Sequence, residues 1–578
     1  FGEYQGYSEP LYDEWVRVSQ YVPVRDGTRL AVDIFRPAVG GTPVDDPLPV
    51  IWTFHRYHRA RVDRAGKLTT ILDQAPELEM MLRYGYVVAA ADVRGGGASF
   101  GTRDGEFTRQ EALDAYDLTE WFAAQPWSNG KIGMYGLSYL AITQYTAAST
   151  QPPHLKAIFP MMAMFDLYSF VYPGGVLNQD FLLSWGGNTI LLDKILPAAP
   201  VDDDPDGALR DEAIAEHRDN ANIYTMATEN PFRDSRVNTG ERTLFAELSP
   251  SSYIDAINDS GVAIYHLGGW FDMYPRDALT WFANLTVPQK IVMTPWSHNG
   301  KGGFDLATEH LRWFDYWLKG IDNGIMDEPP IVYRVMGAPR ASAWRTATEW
   351  PLPQTQPTAY YFHPGPSGSV QSANDGLLIA EPPAAGDSAD AYTVDYSTTT
   401  GGTTRWTDGY GGGYGYPDMR PNDEKSLTYT TLPLASDLEI TGHPIAHLWV
   451  TSTASDGDFF VYLEEVDPRG KSTYISEGVL RASHRATAEA PWSTLGLPFH
   501  RSFESDISPL PDGTPVELVF DLLPTSNIFD AGHRLRVTVT GADADTFLTP
   551  QLDPPPTVTI YRNADYPSHI VLPVIPAE

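Results

Sequence analysis

Three side chains far apart in the sequence have the types and surroundings that nucleophilic catalysis requires. Ser138 stands in Gly136-Leu137-Ser138-Tyr139, directly after the apolar run 131–135 and before a helix-compatible stretch at 140–148. A strand that turns sharply into a helix at a serine lifts the hydroxyl above the sheet. The helix N-terminus then places partial positive charge where an oxyanion would form. Gly-x-Ser alone is a common tight turn, and the second glycine of a G-x-S-x-G elbow is absent, because position 140 is Leu140. The partners carry the reading further. A serine hydroxyl requires a general base, and the base requires an anion that fixes its tautomer. Asp272 follows the run 262–267 through Gly268-Gly269-Trp270-Phe271, and His298 follows the run 290–293 through Thr294-Pro295-Trp296-Ser297. Acid and base thus leave strand tips on the side where Ser138 sits, and the chemistry would be acyl transfer.

The elements that must position these residues fall into three blocks. Up to about residue 162, short apolar or β-branched runs (49–54, 86–92, 131–135) alternate with helical patterns (75–83, 114–124, 140–148), after a hairpin signal at 21–36 centred on Asp26-Gly27. Such alternation implies a mostly parallel sheet with helices on both faces, and the order Ser, acid, His is that of an α/β-hydrolase fold. Residues 163–249 lose the rhythm and read as an irregular helical cap over the carboxyl ends of the strands, where sheets of this kind bind ligands. The strand rhythm resumes at 262–267 and 290–293, with helical 277–282 between them, and a last helix at 309–319 closes a core assigned to 1–162 and 250–329. Beyond it Thr, Ser, Gly and Pro rise and alternating strands dominate (358–362, 445–451, 458–465, 516–522, 534–540, 557–562). Residues 330–578 therefore read as an all-β sandwich or jelly roll.

Composition excludes several classes. The 578 residues are too many for one compact core. Lys+Arg 40 against Asp+Glu 74 gives a net charge of −34, which argues against nucleic acid and against an anionic membrane as partners. Hydrophobic residues make up 42%, which removes a disordered acidic solubiliser, and no apolar run approaches the ~18–20 residues that span a bilayer. Cysteine is absent, so disulfides, thiolate metal sites and cysteine nucleophiles drop out. The chain begins at Phe1, which reads as a removed leader or a trimmed start. A secreted or periplasmic setting is compatible with that, and so is the cytoplasm.

Taken together, Asp92-Val93-Arg94-Gly95, Gly136-Leu137-Ser138-Tyr139, Gly268-Gly269-Trp270-Phe271-Asp272 and Pro295-Trp296-Ser297-His298 resemble the cocaine esterase / X-Pro dipeptidyl-peptidase family of serine hydrolases. Val22-Pro23-Val24-Arg25-Asp26-Gly27 resembles its opening hairpin. Residues 440–444, Asp458-Phe459-Phe460 and Gly532-His533-Arg534-Leu535-Arg536 resemble its C-terminal jelly roll. The likeness covers nearly the whole chain. It implies an α/β-hydrolase core with helical cap and jelly roll, Ser138 as nucleophile, His298 as base and Asp272 as orienting acid. It also implies the Tyr139 N–H and the Tyr57 hydroxyl, in Phe54-His55-Arg56-Tyr57, as oxyanion donors. One departure is Ala141, where the family usually has Gly. The family's amino-acid ester hydrolases and dipeptidyl peptidases need an anionic anchor for a substrate ammonium. Asp272 is followed by Met273-Tyr274-Pro275-Arg276, without an adjoining acid, and Asp166 and Asp180 read as capping or solvated carboxylates. Trp270, Phe271 and Tyr274 around the acid, with Phe165 and Tyr168 at the start of the cap, suggest an aromatic pocket for a bulky neutral group.

Two further motifs are weaker. Asp202, Asp204, Asp206 and Gly207 match the first half of a calcium loop, but the position of the bidentate Glu is Ala213 and Pro205 stiffens the turn, so a solvated acidic loop is the reading. Gly95-Gly96-Gly97 lacks the Lys-Ser/Thr of a phosphate loop. Residues 406–417, rich in Gly and Tyr, could lean on the mouth of the site. The expected function is cofactor-independent hydrolysis of carboxylic esters through an acyl-enzyme, with a small-molecule ester or amide as partner and no metal. Amide or X-Pro peptide cleavage and acyl transfer are the enzymatic alternatives. A polymer- or carbohydrate-binding sandwich on an inactive core is the alternative from another class.

Overall fold

The computed structural model describes residues 1, 3–236, 243–300, 302–386 and 388–577. An eleven-stranded sheet carries the candidate residues. Its strands are β1 (Glu14–Pro23), β2 (Arg29–Val39), β3 (Leu48–His55), β4 (Val87–Asp92), β5 (Ser128–Leu137), β6 (Leu155–Met161), β7 (Ala263–Gly269), β8 (Gln289–Thr294), β9 (Ile331–Arg334) and β10 (Trp344–Ala347), with the short Thr42–Pro43 beside β2. The spatial order is β1-β2-β4-β3-β5-β6-β7-β8-β9-β10. From β4 to β9 all neighbours are parallel, whereas β1–β2, β2–β4 and β9–β10 are antiparallel. Every residue of β4 is buried, as is β3 after Leu48, which is why these strands read as continuous apolar runs. The hairpin at Asp26-Gly27 forms with Pro23 opposite Arg29, and Gly27 supplies the positive φ of 86° that the turn needs.

Helices Arg109–Ala123, Tyr139–Ala148, Pro275–Asn284 and Leu306–Phe314 pack on this sheet. Thr108 caps the first of them by accepting the Glu111 N–H. Between β6 and β7 lie the helices Leu167–Val171, Gln179–Lys194, Ala208–Glu216, Ile223–Glu229, Leu244–Leu248 and Ile254–Ser260. Residues 237–242 of the stretch expected to form a cap lie outside the described residues. None of these helices is long and apolar enough to cross a membrane.

Strands past Pro329 do not all belong to one unit. β9 and β10 extend the first sheet, so it runs on to Ala347. From Gln356 to Ile575 a second, thirteen-stranded sheet follows, with its own core around Phe362, Leu448, Val461 and Val537. Its strands include Ile445–Ser452, Asp458–Val466, Val516–Asp521 and Arg534–Thr540, close to their expected places, and also Ser472–Arg481 and His569–Ile575. Trp406, Phe460, Tyr474 and Phe547 from this part are buried in the core of the first, so the two pack together.

Candidate active site

The turn at Ser138 follows from two crowded positions. β5 ends at Leu137 and the next helix starts at Tyr139, which leaves Ser138 at φ 62° and ψ −122°. A non-glycine residue at positive φ is strained and persists only where its surroundings hold it. Here the Ser138 N–H donates to the Met161 carbonyl at 2.9 Å, and its own carbonyl accepts from Ala141 and Ile142. A Cβ at Gly136 would lie 2.4 Å from the Leu140 Cβ, so glycine is obligatory at 136 while 140 tolerates leucine. The Tyr139 N–H belongs to the first helical residue, which has no intrahelical acceptor. Ala141 is fully buried.

Asp272 and His298 meet because two glycines let their loops cross. A Cβ on Gly269 would come within 2.4 Å of the Trp296 carbonyl oxygen, and one on Gly268 within 2.5 Å of the Met293 sulfur. The loops then pair like strands, Trp270 N–H to Thr294 O at 2.8 Å and Phe271 N–H to Trp296 O at 3.1 Å. His298 Nδ1 lies 2.6 Å from Asp272 Oδ1, both side chains being buried. The other carboxylate oxygen accepts the Tyr274 N–H at 3.0 Å. A carboxylate at Nδ1 holds the proton there and leaves Nε2 as the basic nitrogen. Arg405, from the second sheet's side of the molecule, donates to the Asp272 carbonyl at 2.8 Å, and Asp408 accepts the Asn299 N–H at 2.9 Å. The segment at 404–408 thereby braces both loops.

Tyr57 sits on the loop that leaves β3. Its hydroxyl oxygen accepts the Trp185 indole N–H at 3.0 Å, and burial raises the phenol pKa, with hydrogen bonding to Trp185 and the Ser138 side chain opposing that rise. With one lone pair taken by Trp185, the phenol proton is free to point elsewhere. The neighbouring Arg56 is 1% exposed and bridges Glu106 and Asp193, while Arg103 contacts the same two carboxylates. Asp193 lies in the last turn of the Gln179–Lys194 helix that carries Trp185. Burial alone would raise its pKa, but the two guanidinium groups hold it below the ordinary range.

Behind Ser138 the Tyr139 hydroxyl lies 2.9 Å from Glu106 Oε2 and 2.8 Å from Glu111 Oε2. A phenol has one proton, so it cannot donate to two ionised carboxylates at once; one carboxyl must be protonated and donate to the phenol. Glu111 is that group. Burial, together with the negative charge of Glu106, pushes its pKa up to about 8 from 4.5. In an unfolded chain it ionises near 4.5, so the folded state retains a proton that the unfolded state gives up. Its stabilising contribution is fully present below pH 4.5 and is lost as pH rises towards 8. Glu111→Gln keeps a donor for the phenol and cannot ionise. The stability of the variant relative to the unmodified protein, read as Tm, should therefore rise between pH 5 and pH 9, with a free-energy difference of about 5 kcal/mol at the alkaline end. Thermal unfolding across that range checks it, and an equal gap at both ends would refute the assignment.

Ser138, Tyr57 and Trp185 stand at the boundary of two cavities. One is small and strongly apolar, lined by Phe107, Met164, Phe170, Phe181, Leu244 and Tyr274 among others. The other is several times roomier and contains His298, His55, Arg61 and Tyr410. Of the five aromatic residues expected in the pocket, Tyr274 lines the first cavity and lies 6.1 Å from the His298 ring. The remaining four are corrections. Trp270 is buried against Trp350, in one cluster with Ile291 and Tyr333, because its indole N–H finds its acceptor in the Arg334 carbonyl at 2.7 Å. Phe271 is half-buried and packs on Tyr414. Phe165 packs between Trp281 and Trp492. Tyr168 is stacked under the Arg233 guanidinium and donates to the Pro231 carbonyl. Phe165 and Tyr168 line a third cavity at the junction with the second sheet.

The carboxylates considered as ammonium anchors are otherwise engaged. Asp166 pairs with Arg233 at 2.7 Å and caps its helix through the Ser169 N–H, and Asp180 accepts the Tyr410 hydroxyl. In the acidic loop, Asp204 accepts the Leu209 and Arg210 N–H groups and Asp202 the Ser19 N–H, so these carboxylates cap backbone instead of converging on one point. Trp185, Phe181 and Arg405 carried no reading in the sequence, whereas Asp408 belongs to the segment 406–417 expected to lean on the mouth of the site. Phe181, Leu182 and Trp185 have the i, i+1, i+4 spacing of a helical face, which was the available signal.

Residues 26–300 match the family described as X-Pro dipeptidyl-peptidase (S15 family), and residues 323–571 match the X-Pro dipeptidyl-peptidase C-terminal non-catalytic domain. A protein of Mycobacterium bovis named as a serine esterase is 36% identical over 98% of this chain and 96% of its own. The cocaine esterase of a Rhodococcus species is 30% identical over 96% of this chain and 97% of its own. In fold, the chain is similar to a CocE/NonD family hydrolase of Staphylococcus aureus (TM-score 0.72, 20% identity, 98% of this chain and 94% of that one). It is likewise similar in fold to an alpha-amino acid ester hydrolase (TM-score 0.71, 21% identity, 98% of each chain).

Proposed function

The chain belongs to the cocaine esterase / X-Pro dipeptidyl-peptidase family of serine hydrolases, and from that premise we propose that it hydrolyses neutral carboxylic esters through an acyl-enzyme on Ser138. In this reading the eleven-stranded sheet is an α/β-hydrolase core, the helices between β6 and β7 form its cap, and the second sheet is a jelly roll. His298 takes the Ser138 proton through Nε2 as the hydroxyl oxygen attacks the ester carbonyl. Asp272 keeps the imidazole in that tautomer and stabilises the imidazolium. The Tyr139 N–H and the Tyr57 hydroxyl hold the oxyanion. His298 then protonates the leaving alcohol, and later deprotonates the water that releases the acid.

The observation that carries the substrate assignment is the pair of cavities meeting at Ser138. The leaving group must lie on the side of the acid that protonates it. His298 lines only the roomier cavity, so the alcohol occupies that one and the acyl group enters the apolar one. One carboxylate, Glu106, lines the apolar cavity, and it is matched by Arg56 and Arg103, so among the described residues neither cavity offers a free anion for a substrate ammonium. This favours neutral esters over peptides with a free N-terminus. Comparing p-nitrophenyl butyrate with Gly-Pro p-nitroanilide tests it. Faster ester turnover with a burst of p-nitrophenol supports the reading, and faster anilide turnover overturns the ester assignment.

Tyr57→Phe removes one oxyanion donor and leaves a ring of nearly the same shape. It should lower kcat about 10²–10³-fold with little change in KM, because the lost bond strengthens only in the transition state. Steady-state kinetics on p-nitrophenyl butyrate measure both parameters. A change confined to KM would show that the phenol only binds substrate.

A further inference from the structure

The apolar cavity over Ser138 and the junction cavity are separate spaces with one side chain in common. Among the described residues, Phe170 alone lines both. Its ring is held on the apolar side by Phe181 at 4.8 Å and Tyr274 at 5.1 Å between centroids. On the other side Trp406 stands 6.3 Å away, and behind it Phe547 and Phe460 continue the aromatic lining. The short helix Leu167–Val171 divides its residues accordingly, with Leu167 and Val171 towards Ser138 and Tyr168 towards the junction. Asp166, ion-paired with Arg233, caps the helix from the junction side and fixes where the ring stands.

From this geometry we infer that Phe170 is the specificity-determining residue that ends the acyl site, limiting the length of the acyl chain the enzyme accepts. The inference rests on the ester-hydrolase reading and on the acyl group occupying the apolar cavity. A chain that reaches the ring meets a wall two ring-contacts deep, whereas the space beyond is already present and lined by aromatic faces. Removing the ring would join the two spaces. The tail of a longer acyl group would then pass Trp406 and be buried in place of the lost phenyl, with no new cavity having to open. Past the aromatic lining the junction cavity turns polar, with Arg276 paired to Asp521 and with Asp277 and His500 on its wall. Long apolar chains should therefore gain up to the point where these groups begin.

The test uses the full chain with Phe170→Ala and Phe170→Leu, assayed on p-nitrophenyl butyrate and p-nitrophenyl decanoate. The ratio of kcat/KM for decanoate to that for butyrate should rise about tenfold or more in Phe170→Ala and less in Phe170→Leu, since each additional buried methylene contributes appreciably to discrimination. Truncating a buried phenyl can cost a protein much of its stability. Labelling of Ser138 by a fluorophosphonate probe therefore accompanies each assay, and Phe170→Leu decides the matter should the alanine variant fail to fold. If the variants label at Ser138 and their ratios stay within about twofold of the unmodified enzyme, Phe170 does not limit the acyl site and the inference falls alone. If Ser138 fails to label in the unmodified protein, the hydrolase reading itself has failed.

Discussion

Ser138→Ala should abolish the burst and lower kcat on p-nitrophenyl butyrate by about 10⁶-fold, leaving only the contribution of the oxyanion donors and binding. The expected size follows from what alanine removes. Without the hydroxyl no acyl-enzyme forms, and a water would have to attack from a place that the turn after β5 reserves for a side chain. The fold should be unaffected. Alanine occupies φ 62° with the same strain as serine, and the backbone bonds to Met161, Ala141 and Ile142 do not involve the side chain. Stopped-flow kinetics and fluorophosphonate labelling read the outcome. Residual turnover within about tenfold of the unmodified enzyme would place the nucleophile elsewhere.

Asp272→Asn should lower kcat about 10⁴-fold, by way of the tautomer. The carboxylate accepts from His298 Nδ1 at 2.6 Å and from the Tyr274 N–H at 3.0 Å, in a site with no exposure for either side chain to speak of. An asparagine keeps the Tyr274 bond through its carbonyl oxygen and turns its amide towards Nδ1. That nitrogen must then accept, the imidazole proton moves to Nε2, and Nε2 no longer serves as a base. The imidazolium formed during turnover also loses its counter-charge. Steady-state kinetics give the magnitude. Unchanged thermal stability alongside the loss would separate the electronic effect from a collapsed loop, and a loss of less than about tenfold would remove Asp272 from the machinery.

Much of the candidate site was legible because each of its three proposed residues stands at a place where backbone sterics leave a mark in the sequence. Ser138 follows a short apolar run and needs Gly136 beside it, since a Cβ there would strike Leu140. Asp272 and His298 follow β7 and β8, and Gly268-Gly269 is required by the approach of the Met293 and Trp296 segments. Parallel strands buried on both faces write themselves as uninterrupted apolar runs, so their ends, and with them the side of the sheet that carries chemistry, can be located without coordinates. The family resemblance rested on the same stretches.

Most of what lines the pocket was decided by tertiary structure. Trp270 and Phe271 are neighbours of Asp272 in the chain, yet past the end of a strand the direction of a side chain depends on which acceptor or surface it meets. Trp270 turns to the Arg334 carbonyl and Phe271 to Tyr414. The walls come instead from Phe170 and Leu244, on five-residue helices where packing, and not periodicity, sets which face looks inward, and from Phe181 and Trp185, on one face of the longer helix Gln179–Lys194. Arg405 and Asp408 reach the loops of Asp272 and His298 across more than a hundred residues of sequence. A local pattern can specify a strand end or a tight turn because the forces involved act within a few residues. Contacts between distant segments leave no such trace, and only the folded chain brings them together.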